Sequence, residues 1–534
     1  MNTNPYATAR AATTLSALAV LSPLAGVAVE MALAWRFGTL PTVDAFRVAA
    51  LLLTFGQQLF IFQILPHAVV PVFTEYRAQG RDKEAWHVAF SLTNLLAVPA
   101  LLISLFAFAR PGPILNLLAP GLTGEGRATA SLFIRWSLLT YGPMVWSGVA
   151  AGLLYVHRIF WLPPAVQLGG NTILVAMILA LGGQLGAGCL VLGMLLSSAV
   201  GVAMYAAKLL PLMRAAGARF PRRIDTAHPG VRQSVRLALP LLGMVLCMQW
   251  GTVMLSRALS SLPEGNLALF GYAWKMGTLV VLAPLSLATV MFPQFAEARF
   301  QSGEDDFRAT CTRALRMALF IVIPLTCWLH ALRSPVVALL FERGAFSERA
   351  SEQVARLFGL LLLGSPASAV SAYMEKMLYA LGKTHVPMLG HLGNAALLAA
   401  LAQITAAYFG AEGLMVLVGP MASYVFAAWL FLVLYRRHQA FLLKEIAPFA
   451  ASVVALALMS AWTAKQVSAL LERAAFSPWL SLGLAVTGGG LAVGAGVFVA
   501  LSLAWQLPEA MACSRYLRWS GDAIIRKVQE AVRS

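Results

Sequence analysis

Charged side chains inside long apolar runs are where this sequence could do chemistry. Lys275 lies in NLALFGYAWKMGTLVVL, Glu30 in SPLAGVAVEMALAW, Arg135 in SLFIRWSLLTYG, and Arg47 one turn inside the apolar run that opens at Asp44. A charge at mid-membrane depth is costly, so each of these is a functional hypothesis. The Lys275 ammonium is a point charge that suits phosphate without demanding bidentate geometry; pairing with an acid such as Glu30 is its alternative. Arg47 either pairs locally with Asp44, three residues before it on the helix, or faces an interior cavity. Arg135 either lines that cavity or snorkels to the outer surface. Glu30 is the candidate protonatable carboxylate, since burial favours the neutral form of an acid. Its competing role is an ion pair with Lys275 or Arg47. Glu375 and Lys376 are neighbours on a helix and point apart, so one of them is expected to face the cavity. Asp44 and Glu375 complete the acids that could couple an ion or hold an ion pair. His67, His330 and His391 have no ligand spacing and read as packing residues.

The elements that must position these groups are membrane helices. Of 534 residues, 59% are hydrophobic and only 11% charged, against about 25% charged in soluble domains. The fold class is all-α, a polytopic membrane protein. Spans of about 20 apolar residues are expected at 11–36, 44–73, 85–109, 128–157, 160–183, 187–212, 233–260, 266–296, 307–332, 350–380, 385–409, 412–435, 446–470 and 478–505, about fourteen in all. The net charge of +17 falls in the breaks between spans, as orientation signals do. It is not gathered on one face for nucleic acid. Arg77, Arg81 and Lys83 follow the second span, Arg214 to Arg232 the sixth, and Arg436, Arg437 and Lys444 the twelfth. With alternating helices all of these share one side, which places both termini in the cytoplasm.

The chain also repeats itself. Pro71-x-Phe73-x-Glu75-x-Arg77-x-Gln79 returns as Pro293-x-Phe295-x-Glu297-x-Arg299-x-Gln301, Leu117-Leu118 as Leu339-Leu340, and Leu154-Tyr155 as Leu378-Tyr379. Pro164-x5-Gly170-Asn171 returns as Pro387-x5-Gly393-Asn394. Six helices per copy is an even number, so the copies share one orientation. That predicts two lobes with a site between them. The expected domains are an N-lobe at 1–213, a basic cytoplasmic linker at 214–232, a C-lobe at 233–437, two accessory helices at 438–505 and an amphipathic tail at 506–534. The tail sets apolar against basic residues and reads as an interfacial helix. Gly488-Gly489-Gly490 and Gly494-x-Gly496 allow close helix packing. The first apolar run reads as a retained helix rather than a cleaved signal. Five scattered cysteines indicate neither disulfides nor zinc. No phosphate-binding loop, paired metal ligands or nucleophile elbow is found, so no enzyme activity, cofactor or metal is expected.

Three blocks carry a family resemblance. They are Phe37-Gly38 with Asp44-Ala45-Phe46, Val70-Pro71 and Glu75-Tyr76; Tyr272-Ala273 leading to Pro293; and Leu339-Leu340-Phe341-Glu342-Arg343-Gly344-Ala345-Phe346 with Phe358-Gly359, Leu378-Tyr379-Ala380 and Pro387. In these the chain resembles the MurJ/MviN lipid II flippases of the multidrug/oligosaccharidyl-lipid/polysaccharide exporter superfamily. The resemblance implies two six-helix lobes around a central cavity, two C-terminal helices, and alternating access for a polyprenyl-pyrophosphate-linked saccharide. It also implies a bacterial inner membrane, a monomer, and neighbours in cell-wall or polysaccharide synthesis. Family members line the cavity with arginines that meet the pyrophosphate. Here Pro23 and Val29 stand at two such places in the first helix and Gln57 and Gln58 at two in the second. In the eighth helix the acid–arginine pair reads Trp274-Lys275, with Thr278 for a nearby acid. The implied cavity set is therefore Lys275, Arg47 and Arg135 as cations, with Gln57, Gln58 and Thr278 as polar lining. The implied cargo is lipid II or, with these departures, an exopolysaccharide or O-antigen repeat unit. A drug/cation antiporter of the same superfamily and a non-transporting scaffold are the remaining readings.

Overall fold

Backbone polar groups inside lipid must find partners within the chain, and a helix supplies them all. In the computed structural model, which describes residues 5–63, 65–218, 225–299, 303–474, 479–505, 507–509 and 511, every regular element is helical. The α-helices are α1 (Pro5–Phe37), α2 (Pro41–Gly56), α3 (Leu65–Ala78), α4 (Asp82–Ala109), α5 (Pro111–Leu118), α6 (Gly124–Ser137), α7 (Tyr141–Val156), α8 (Leu162–Leu185) and α9 (Gly188–Ala215). They continue as α10 (Pro229–Ser260), α11 (Asn266–Glu297), α12 (Glu304–Ala331), α13 (Arg333–Phe341), α14 (Glu348–Leu362) and α15 (Ser365–Ala380). The last are α16 (His385–Val416), α17 (Ala422–His438), α18 (Leu443–Ala474) and α19 (Trp479–Ala504).

Among the described residues eleven helices are long and apolar enough to cross a membrane, or twelve with α14 and α15 taken as one span bent by 40°. The expected fourteen is not reached by that count. The first expected span, α1, is not in it, and His385–His438 is counted once although Gly410 interrupts it at φ 60°, ψ −151°. The run expected as one helix from 44 to 73 is split. Its middle is a π-helix, Gln57–Gln63, between α2 and α3. Such wide turns re-aim side chains and recur at functional sites. Tyr141 Oη donates to Leu52 O at 2.7 Å where the wide turn begins.

The repeat is visible in the order of elements. Helices α4, α5, α6 and α8 begin at 82, 111, 124 and 162; α12, α13, α14 and α16 begin at 304, 333, 348 and 385, an offset of 222 to 224 residues. Each short helix, α5 or α13, follows a long one at the same place.

The described residues form two compact units. One comprises Met1–Lys275, Phe341–Ala350 and Ala395–Leu414; the other comprises Met276–Leu340, Ser351–Asn394 and Met415–Ser534. In the first, Trp86 is buried, its ring edge-on to Phe73 at 5.4 Å and stacked on Phe90 at 5.6 Å. The linker residues after 224 are tied to α4: His87 Nε2 lies 3.3 Å from Asp225 Oδ2, and His228 N donates to Asp225 Oδ1 at 3.1 Å. The hydrogen bond from His87 holds the Asp225 carboxyl below the usual carboxylate range. Residues 219–224 of the expected linker lie outside the described residues.

In the second unit Phe295, Phe307, Tyr373, Leu430 and Leu434 share a core. Of the glycines expected to let helices approach, Gly489, Gly490 and Gly494 do so. A Cβ on Gly490 would lie 3.2 Å from Ala464 O, and one on Gly494 3.1 Å from Ala464 Cβ. Gly488 and Gly496 face open space. Arg316 Nε pairs with Glu509 at 2.8 Å while its guanidinium covers the Phe449 ring at 4.4 Å. The expected amphipathic tail, apart from residues 507–509 and 511, lies outside the described residues.

Candidate functional site

Three of the residues that the sequence marks as chemical, Glu30, Arg47 and Asp44, converge in the first unit. Arg47 on α2 meets Glu30 on α1 with both terminal nitrogens: Nη1 donates to Oε1 at 2.9 Å and Nη2 to Oε2. The two side chains are 13% and 9% exposed, so this is a buried bidentate pair. The guanidinium also covers the Tyr272 ring at 4.8 Å. Gly271 makes room for it, since a Cβ there would lie 2.3 Å from Arg47 Nε. Arg47 is one of the two partners expected for Glu30, and the fold brings the two together.

Asp44 does something else. Its Oδ2 accepts from Gly265 N at 2.6 Å and its Oδ1 from Ala268 N at 2.7 Å. These amides belong to the start of α11, whose first N–H groups have no partner within the helix. A carboxylate there satisfies two of them and complements the positive end of the helix dipole. Asp44 is thus a cap supplied from another helix. Asp44→Ala is expected to lose about 2–4 kcal/mol, because both amides would stay buried without an acceptor. Asp44→Asn keeps one acceptor oxygen and loses about half as much. Equilibrium unfolding in detergent measures both, and a loss below about 1 kcal/mol for Asp44→Ala would remove the cap from the account.

The loop after α13 closes over this cluster. Tyr272 Oη donates to Gly38 O at 2.9 Å, and its ring packs on Phe341 at 5.2 Å and Phe346 at 5.4 Å. Ala345 N donates to Trp35 O at 2.9 Å. Gly38 and Gly344 have φ of 56° and 61°, and a Cβ on either would strike the backbone of the other strand of chain, 2.4 Å from Ala345 O and 2.3 Å from Trp35 O. Glycine is required at both for conformation and for space. The motif residues that carry the resemblance, Phe37-Gly38, Asp44, Tyr272 and Phe341 to Phe346, therefore form one interlocked cluster.

Lys275 sits nine residues into α11, roughly 14 Å from its start. Its ammonium packs on α1: a Cβ on Gly26 would lie 2.9 Å from Lys275 Nζ and 3.7 Å from Asn171 Nδ2. Asn171 in turn donates to Ser22 O at 3.3 Å. It also lines a cavity of about 420 Å³ in the first unit, with Gln57, Gln167, Ser197, Tyr155 and Tyr205. The volume is that of a small-molecule site, and the lining is uncharged. Gln57 enters this wall from the π-helical turn.

The other candidates lie apart. Gln58 is half-buried beside Gln57, and Arg135 is exposed on α6 next to Trp136. Thr278 is exposed on α11 within the second unit. Glu375, also in the second unit, meets His391 Nε2 at 2.9 Å, and the His391 ring lies 4.4 Å from that of Phe426. Lys376 turns toward the Tyr379 ring at 5.5 Å. Sequence reasoning missed Tyr272, Gly26, Asn171 and the Glu375–His391 pair as partners. The sequence marks Tyr272 and Asn171 only as motif and repeat residues, and nothing in a single sequence pairs His391 with Glu375. No group of His, Cys, Asp and Glu suited to a metal occurs among the described residues.

The arrangement offers binding rather than bond-making: an ammonium beside a neutral polar cavity, and a capped, ion-paired cluster at one end of three helices. The family model "Lipid II flippase MurJ" matches residues 33–480. A probable lipid II flippase MurJ of Rhizobium meliloti (strain 1021) is 26% identical over 390 residues, covering 69% of this chain and 70% of that protein. The lipid II flippase MurJ of Burkholderia cenocepacia is 23% identical over 369 residues, covering 66% and 70%. Among solved structures, lipid II flippase MurJ in an inward closed conformation superposes with a TM-score of 0.78 at 18% identity, over 92% of this chain and 98% of that one. An inward-facing multidrug resistance MATE family transporter gives 0.66 at 17% identity, over 79% and 96%. The chain belongs to the lipid II flippase MurJ family.

Proposed function

We propose that this chain moves an undecaprenyl-pyrophosphate-linked saccharide, a lipid II-like peptidoglycan precursor, from the cytoplasmic to the periplasmic leaflet of a bacterial inner membrane. The observation that carries this reading is the family match over residues 33–480. It works by alternating access as a transporter and not as an enzyme. Its two repeat lobes, 1–213 and 233–437, rock about the substrate, and both termini face the cytoplasm as the basic loops require. The Lys275 ammonium neutralises the pyrophosphate while the lipid tail stays in the bilayer. Arg135 is the second cation available to it, since both Nη groups of Arg47 are engaged by Glu30. Gln57, Gln58 and Thr278 are polar lining, and the cluster around Asp44 and Tyr272 holds the end that must part for release. Glu30 and Glu375 are the acids through which an ion could reset the cycle.

A second cargo fits the same cavity. The wall at Gln57 and Asn171 is uncharged, which suits an exopolysaccharide or O-antigen unit as well as lipid II. Expression in a bacterium depleted of its own lipid II flippase separates the two. Restored growth is the expected result. Failure to rescue, together with loss of capsule when the native gene is deleted, would transfer the assignment to the polysaccharide cargo. Normal wall and capsule with altered drug resistance would transfer it to an antiporter.

A further inference from the structure

Three pieces of the second unit bring arginines to one pocket. Arg299 comes from just past α11, Arg308 from the first turns of α12, and Arg436 and Arg437 with His438 from the last turn of α17. The pocket holds about 280 Å³, and among the described residues Glu304 is its one lining carboxylate. A basic last turn on α17 is expected from the helix dipole and from the bias of cytoplasmic loops. Neither effect explains why Arg299 and Arg308 arrive at the same place from other helices. The ion pairs present do not absorb the charge. Arg299 lies 3.5 Å from Glu304, whose side chain is 74% exposed, and Arg308 lies 3.7 Å from a fully exposed Asp305. Pairs of that kind contribute little. Arg308 is instead fixed by Gln439, whose Oε1 accepts from Nη2 at 2.7 Å. Gln439 itself holds a left-handed backbone at φ 45°, a conformation that usually needs glycine or asparagine. Four guanidinium groups around one concavity repel each other unless an anion sits among them.

The surface leading to the pocket identifies the anion. Along α17, Val425, Trp429, Leu432 and Tyr435 are exposed apolar side chains at helical spacing, and the stripe runs into Arg436 and Gln439. Phe307 and Leu381 form the apolar part of the pocket itself. We propose that this pocket binds the phosphate of an anionic phospholipid, with the acyl chains laid along α17. Guanidinium forks match phosphate oxygens two at a time, and basic pockets between membrane helices take such headgroups. The inference goes beyond the transport reading, and its test needs no transport.

Full-length protein purified in detergent is titrated with phosphatidylglycerol, and separately with phosphatidylcholine and inorganic phosphate, while its unfolding temperature is followed. Phosphatidylglycerol is expected to raise the midpoint and phosphatidylcholine to leave it unchanged. In Arg299→Gln/Arg436→Gln/Arg437→Gln the concentration needed rises by roughly a factor of 100. Lys208→Gln/Arg214→Gln, which removes charge elsewhere, titrates like the parent. If the triple variant does not fold, Arg437→Gln alone is read in the same titration, with an expected weakening of about fivefold. An equal response in the arginine variants, or none in the parent, overturns the site. A full shift with inorganic phosphate alone overturns the assignment to lipid.

Discussion

Lys275→Ala is expected to abolish rescue of a strain depleted of its lipid II flippase, while the protein still folds and inserts. The ammonium lies roughly 14 Å along α11 from its start, packed on Gly26 beside the uncharged cavity. A cation within an apolar membrane helix is a functional hypothesis by default, and an ammonium suits phosphate as a point charge. Losing one charge-assisted contact to a desolvated phosphate costs about 2–4 kcal/mol, which is roughly 30- to 1000-fold in the rate of translocation. Lys275→Arg keeps the charge and is expected to retain part of the activity. Translocation by reconstituted protein, with unfolding measured alongside, separates loss of the contact from loss of the fold. Rescue that survives Lys275→Ala would remove this lysine from the mechanism and leave the family assignment standing.

The second large effect is on stability. Arg47→Met is expected to cost about 3–5 kcal/mol, because it leaves the Glu30 carboxylate buried with no counter-charge. The cation–π contact with Tyr272 goes with it. Removing both partners should be far milder. Glu30→Gln/Arg47→Met no longer buries a lone charge, and replacing a whole buried pair is often close to neutral. The double variant is thus expected to recover most of the loss, and equilibrium unfolding of the four proteins in a double-mutant cycle gives the coupling. Strict additivity would mean that the pair is not one unit. The outcome also bears on transport, since an arginine locked to Glu30 is not available to the pyrophosphate.

Much of the fold is legible in the sequence because lipid leaves the chain few options. Long apolar runs must be helical, since a helix pairs every backbone polar group within itself. The offset of 222 that links Pro71 to Pro293 reappears in where α4 and α12, or α5 and α13, begin. The family was legible too, through Phe37-Gly38, Tyr272 and the loop at 341–346. Interruptions were less so. A hydrophobic run reads the same whether its turns are α or π, so the wide turn at Gln57 and the split of the expected 44–73 helix could not be read from apolar spacing.

Partners were decided only by tertiary structure. Helical spacing put Asp44 and Arg47 on one face and suggested that they pair. The fold sent Arg47 to Glu30, and Asp44 to amides more than two hundred residues away. Glu375 found His391 in the same manner. Periodicity fixes the face on which a side chain stands, and the low dielectric of the interior requires that it find a partner. Which partner it finds depends on which helices come together. By itself the sequence determined a polytopic helical transporter with charged groups within its apolar runs. Only the packing decided that one of them, Lys275, stands beside the polar cavity while Glu30 and Arg47 neutralise each other.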